Sequence, residues 1–561
     1  MHQVIAFTSL MLQSLYSMII SKRVLPGLLA VIVGAVAVSV QSQATFASTL
    51  ELQVVDDNDT PIPCRVLILK RNGNSVVPDN HTTLNIGSQR WFVIDGQDKI
   101  DLPEGQYTLR VERGMEFTRY KKRLRVSSAH TNLQVRLSRW ADMKKLGYAS
   151  GENHIHVPVS YLARLLAAEA LDYGSTLTWW NGARPRTPVP EGPEHQRRMS
   201  FAGHDVPATV FDAEIEHAWG AVYIQNLPAP LPFVSDPKRP NLDALQHAVD
   251  VGATVHYQAG WSREVALDAL LGKVHVINVC NNNFHQHQYQ LRSIYSNLLQ
   301  TPGLETYENT ESGMLRMNNQ TYYRLLNWGL KIAAGAGSAS GVKPSPVGYN
   351  RAYVRTDPAG SIDDFYDHWK AGRNFVTNGP LLFLSTDQNK RPGDNIAFDQ
   401  KGGQVNLTVS VMSRQPLTSV EIVANGEVVH AFDLQEKNVF KSQTSIRISE
   451  GSWIAARCTS RDGWLKEEEL SVFTRGAITD RFPTRPSRLR FAHTSPIYVT
   501  VGGRGAAVPE SIREGIRMMD RLEVFSGEQA AVERRDSTLE AIDQARTMLQ
   551  EKLNAAISIK P

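Results

Sequence analysis

Between residues 146 and 380, short apolar runs of strand character alternate with segments whose apolar residues recur three and four apart. No other feature limits the architecture as much. The strand-like runs are 153–157, 175–180, 208–211, 221–224, 253–257, 274–279 and 330–334. Between them, 160–171, 241–251, 263–271 and 318–328 carry helical periodicity. Strand then helix, repeated, predicts parallel strands joined by crossover helices and closed into a barrel over 146–382. In such a barrel, functional side chains gather at the C-terminal strand ends.

The flanks follow a period of two. Leu50, Leu52 and Val54 share a face, Val66-Leu67-Ile68-Leu69 is a short apolar run, and Pro103-Glu104-Gly105 turns into Tyr107, Leu109 and Val111. Strands this short with regular turns predict a β-sandwich over 48–137. It resembles the transthyretin-like, carboxypeptidase-regulatory modules attached to secreted enzymes, which implies a spacer or docking role. Val405, Leu407, Val409 and Val411 restart the alternation, and Asn425-Gly426 between apolar runs is a type I′ hairpin signal. A second sandwich is therefore predicted over 383–505. In 506–561, Ile512, Ile516 and Met519 share one helical face, and Leu539, Ile542, Leu549 and Leu553 another. That pattern predicts a helical hairpin packed on the barrel or a sandwich, with a partner-binding coiled coil as the alternative.

At 561 residues the chain is too long for one core. Its net charge of +4 is small for that length, and no basic stripe suited to nucleic acid stands out. Lys22 and Arg23 precede an apolar run at 24–40, and Ala44 to Ser48 offers small residues for cleavage after Ala47. Residues 1–47 thus read as a signal peptide and predict export to a periplasm or beyond. The alternative is an N-terminal anchor, in which 24–40 stays in the membrane as the chain's one contact with it. Cys64, Cys280 and Cys458 fall in three different regions, which argues against a disulfide framework and suits buried structural thiols.

The chemistry-bearing residues fall at the predicted strand ends. Alternate side chains of a strand share a face, so His154 and His156 can point together. Glu214, Glu216 and His217 follow the third strand, His256 lies in the fifth, and His285 and His287 form a second His-x-His after the sixth. Imidazoles and carboxylates in one α/β region suit a divalent zinc, manganese or iron ion.

Several strings are similar to those of the CehA/McbA-type metallohydrolases of the PHP (polymerase and histidinol phosphatase) superfamily. They are Gly151-Glu-Asn-His-Ile-His156, Asp212-Ala-Glu214 with Trp219-Gly220, Gly335-Ala-Gly337-Ser338 with 348–354, and Gly372-Arg-Asn-Phe-Val-Thr-Asn-Gly-Pro-Leu-Leu382. The resemblance covers roughly residues 146–505. It implies a distorted (β/α)7 barrel flanked by two β-sandwiches, metal at its mouth, and hydrolysis of esters, carbamates or phosphoesters. By the same resemblance His154, His156, Glu214 and His256 are metal ligands. The chain departs from the family where Thr178-Trp179-Trp180-Asn181 replaces Thr-Asp-His-Asn, where Gly337-Ser338-Ala339-Ser340-Gly341 replaces Gly-Ser-Asp-Ser-His, and where Gly220-Ala221 replaces Gly-His. Trp, Ala and Gly do not coordinate cations, so the expected site is reduced, with one ion and with His217 or the His285/His287 pair as substitutes. Glu216 and Glu152 are the candidate general bases. Trp179 and Trp180 offer an aromatic floor for a small molecule or a carbohydrate, with Asn181 and Asn378 as further substrate-binding candidates. Two other readings compete with hydrolysis: a barrel that binds a carbohydrate without catalysis, and an architectural envelope protein.

Overall fold

The computed structural model describes residues 47–558 apart from 128–129, 182–197, 202, 233–235, 237, 261, 291–306, 309, 358, 436 and 475–483. The signal or anchor expected at the N-terminus lies outside the described residues. Among those described, no helix is long and apolar enough to cross a membrane. The architecture is multidomain and mostly β-sheet, with a pair of helices at the C-terminal end.

The first region is built as its alternation requires. Ala47–Val55 pairs antiparallel with Gln97–Pro103 and parallel with Thr131–Arg136. A second sheet runs in the order Thr83–Ile86, Gln89–Asp95, Pro63–Lys70, Gly105–Glu112, Tyr120–Val126. Leu50, Leu52 and Val54 meet Val66, Ile68, Phe92, Leu109 and Val111 between the two. On the opposite face Leu67, Leu69, Trp91 and Val93 pack against Leu162, Leu165 and Leu166 of the helix Val159–Ala168. Burial on both faces explains why 66–69 is continuously apolar. The sandwich is thereby fixed to the middle region through a shared apolar layer.

In the middle region, Tyr148–Ile155 pairs parallel with Tyr173–Thr176, which pairs parallel with His204–Thr209. A second sheet runs from Trp179–Trp180 through Ala213–His217, Gly220–Gln225, Thr254–Gln258 and Val276–Cys280 to Ala333–Ala336. A parallel bridge joins Ile155 to Ser340 and links the far end of this series to the first strand. The strands are not uniformly parallel. Ala213–His217 and Gly220–Gln225 form an antiparallel hairpin, and the latter is antiparallel to Thr254–Gln258. The cause is connection length, because two residues at 218–219 close a hairpin whereas a parallel crossover takes a dozen or more.

The last sheets do not stand apart from the middle region. Asn374–Thr377 pairs with Leu489–Thr494, which pairs with Ser452–Arg461 and, through it, Leu417–Ala424, so one sheet runs across position 382. A separate three-stranded sheet of Leu381–Thr386, Gly403–Met412 and Val439–Ile448 faces it. Leu407, Val409 and Val411 meet Val420, Ile422 and Ile454 in the core between them. Asn425 (φ 49°) and Gly426 (φ 92°) make the expected left-handed turn into Glu427–Ala431.

Pro509–Gln529 and Val532–Ile557 form the helical hairpin. Ile512, Met519, Ile542 and Leu549 are fully buried in the same core as Trp328, whose indole Nε1 donates to Ser511 O at 2.7 Å. The hairpin packs against Val265–Leu270 and Glu311–Asn327.

Candidate metal centre

The strand Tyr148–Ile155 is buried along its whole length, and its register with Tyr173–Thr176 slips between Glu152 and Ile155. A β-bulge of this kind re-aims side chains at a strand end. Just beyond, the His156 amide donates to Ser340 O at 2.8 Å, which fixes the backbone carrying the second imidazole. Gly337 lies so close that a Cβ there would sit 2.5 Å from His154 Cβ, and only glycine permits that approach.

Three side chains converge. His154 Nε2 and His156 Nε2 face each other at 2.9 Å. Glu214 places Oε1 3.5 Å from His154 Nε2 and Oε2 3.0 Å from His156 Nε2. The three could hold a metal ion, since a ligand atom from each lies within 4.8 Å of the others. Their side chains are only 3%, 5% and 3% exposed. Burial pushes the His154 imidazole down to about 4, against the pull of Glu214. Burial alone would raise the Glu214 carboxyl, but His154 and His156 outweigh it and hold it well below the usual carboxylate range. The group therefore brings two imidazoles and a carboxylate to one point. His154 Nδ1 is buried without a hydrogen-bond partner among the described residues. Two imidazoles and a carboxylate are a suitable donor set for zinc, manganese or iron.

Aromatic rings wall the group. Trp180 lies over His156 with ring centroids 4.6 Å apart, and Tyr223 lies over His154 at 4.2 Å. The hairpin register puts Tyr223 directly across from Glu214, and Trp180 is the parallel partner of Glu214 on the other side. A cleft of about 280 Å³ reaches His156, lined by Thr83, Asn85 and Arg90 of the first sandwich and by Pro158 and Tyr161.

The other candidates have different places. His256 does not join the three: its Nδ1 accepts from Asn153 Nδ2 at 2.8 Å, and its ring meets Trp369 edge-on at 5.0 Å. His217 accepts the Trp219 amide at 3.3 Å at the hairpin turn. His285 Nε2 faces Asn282 O at 2.9 Å, and His287 packs edge-on to Phe473 at 5.0 Å. Gln286 between them donates to Glu112 of the first sandwich at 3.0 Å, so this loop is held in an interface. Neither histidine brings a ligand atom to the group. The Glu152 carboxylate accepts the Ser338 and Gly348 amides, and burial raises it to about 8. It ties two loops to the first strand. Glu216 is half-buried, and Asn181 braces its backbone by donating to its carbonyl at 2.7 Å and accepting its amide at 2.8 Å. Trp179 is half-buried against the main core. Asn378 exchanges hydrogen bonds with the Phe491 backbone and so joins two strands.

Tyr223 is the wall that sequence reasoning missed, because only the antiparallel hairpin brings it opposite Glu214. All three cysteines are buried free thiols, as their spacing implied.

No family model matches the chain, and no curated protein matches it. Among solved structures, the N-terminal four Ig domains of Dscam1 isoform 8.4 align with 10% identity over 80% of this chain and 96% of that one. The TM-score is 0.11, and the likeness carries no argument about fold or function.

Proposed function

We propose that the chain is a metal-dependent hydrolase of the PHP type, acting on an ester, carbamate or phosphoester through a single divalent ion. The observation that carries this reading is the buried convergence of His154, His156 and Glu214. The strand series that starts at Tyr148–Ile155 and returns to it through the Ile155–Ser340 bridge supports a distorted barrel with one antiparallel hairpin in its wall. A divalent ion held by three protein ligands keeps a position open, polarises a carbonyl or phosphoryl oxygen and makes water acidic near neutral pH.

The chain's own residues supply the rest. Trp180 and Tyr223 hold the two imidazoles in place and keep the group dry. Glu216 lies two residues beyond Glu214, on the same strand face, and that position supports its assignment as the general base. Glu152 is excluded from that role because two backbone amides already occupy its carboxylate. Substrate enters by the cleft at His156, where Tyr161 is the aromatic residue of the lining. The layout of residues 1–47 supports export.

The deciding experiment is elemental analysis of purified protein beside His154→Ala/His156→Ala. Near-stoichiometric zinc, manganese or iron that disappears in the variant is expected. Wild-type protein that stays metal-free after incubation with all three ions would refute the proposal. The aromatic wall of Trp180 and Tyr223 would then favour the second reading, a barrel that binds a carbohydrate without hydrolysing it.

A further inference from the structure

The second sheet of the first sandwich ends in an edge strand, Tyr120–Val126, with the sequence YKKRLRV. Leu124 and Val126 turn toward the sandwich core, so alternation sends Lys121, Arg123 and Arg125 to the outer face. The neighbouring strand sets Arg110, Thr108 and Gln106 across from them. Two-residue steps space the three cations about 7 Å apart in a row.

This row forms part of a cleft of about 1270 Å³ that also takes in Lys466, Glu468 and Glu469 at the start of the helix Glu467–Thr474. Eight cationic side chains line the cleft against two carboxylates, in a chain whose net charge is only +4. Glu469 pairs with Lys121 at 2.9 Å and with Arg110 at 3.2 Å. Lys70, Arg71, Lys122, Arg123, Arg125 and Lys466 make no ion pair among the described residues. Unpaired cations gathered in one cleft are what a polyanion would satisfy.

We propose that this cleft binds an acidic polysaccharide, a sugar chain carrying carboxylate or sulfate groups. Gln106 and Thr108 between the cations suit its hydroxyls. The one aromatic residue of the lining, Tyr107, is 5% exposed, so the cleft offers no ring on which nucleic-acid bases would stack. Its concave form does not match a flat bilayer. The site is separate from the His154 group and stands whether or not that group binds metal.

The test uses the full chain and a fluorescently labelled heparin oligosaccharide, with binding followed by anisotropy across a salt series. Expected is binding whose logarithm falls linearly with the logarithm of salt concentration. Arg123→Ala/Arg125→Ala should weaken it about thirtyfold, at about 1 kcal/mol per cation. Arg513→Ala/Arg517→Ala removes the same charge from the tail helix and should leave binding within about twofold. Lys70→Ala/Lys466→Ala repeats the test on two other elements, and circular dichroism verifies that each variant is folded. Equal weakening by the tail variant would mean diffuse charge attraction and overturn the proposal. So would the absence of binding, or tighter binding of a single-stranded oligonucleotide of equal charge.

Discussion

Replacing Glu214 by Gln keeps the shape of the side chain and removes the one negative charge of the group. In the wild-type arrangement its two oxygens lie 3.5 Å and 3.0 Å from the facing nitrogens of His154 and His156. In the variant an amide donor takes the place of one oxygen and competes for a lone pair that an ion would use. Loss of an outer hydrogen-bond partner already costs a metal site about 10- to 100-fold in affinity. Loss of an anionic ligand from a set of three should reach at least the upper figure, about 2.7 kcal/mol. At an ion concentration about 100 times the wild-type dissociation constant, binding stabilises the folded protein by about 2.7 kcal/mol. The variant, then near its own dissociation constant, should gain about 0.4 kcal/mol. Equilibrium dialysis with elemental analysis reads the affinity, and thermal scans with and without zinc, manganese or iron read the difference in stabilisation. A Glu214→Gln protein that binds the ion as tightly as wild type, with the same thermal shift, would show that the carboxylate is not a ligand.

Two other perturbations test the frame around the site. Leu549 is fully buried, so Leu549→Ala should cost about 2–5 kcal/mol and speed hydrogen exchange across Val532–Ile557, with metal content unchanged. Asp462 accepts from Arg119 at 3.2 Å and from Arg490 at 3.0 Å; burial alone would raise its carboxyl, but these cations outweigh it and hold it well below the ordinary range. Its contribution is therefore complete above the unfolded value of about 3.9 and lost as pH falls below it. Asp462→Asn should cost about 3–5 kcal/mol at neutral pH and flatten the acid limb of a urea-midpoint series, and an unchanged acid limb would refute the assignment.

The elements most legible in the sequence were those whose partners are implied by period alone. Leu50, Leu52 and Val54 announce a half-buried strand, Asn425-Gly426 announces its turn, and the tail leucines announce a helical face. His154 and His156 were legible because a strand end brings alternate residues together, and Glu214 because a recognisable string surrounds it. His256 was misplaced for a reason that no spacing reveals. Its ring nitrogen meets Asn153, and that contact depends on the register of two strands a hundred residues apart in the chain. The same limit hid Tyr223, which reaches His154 only because residues 218–219 close a hairpin where a crossover was expected. His285 and His287 have the spacing of ligands, but Gln286 and its bonds to the first sandwich decide where their loop lies. The cations of 121–125 are separated in sequence from Lys70, Arg71 and Lys466, so no window along the chain displays the charge that the fold assembles.

The sheet that crosses position 382 has a consequence for synthesis. The first sandwich holds its own strands within 47–136 and can close while the ribosome is still making the middle region. The strand that carries His154 pairs with Arg351–Arg355, which pairs with Asn374–Thr377, which waits for Leu489–Thr494. The imidazoles are thus translated early but gain their full sheet only when nearly the whole chain has emerged. A chain truncated between residues 378 and 488 would carry His154, His156 and Glu214 in a sheet whose Asn374–Thr377 edge is unpaired.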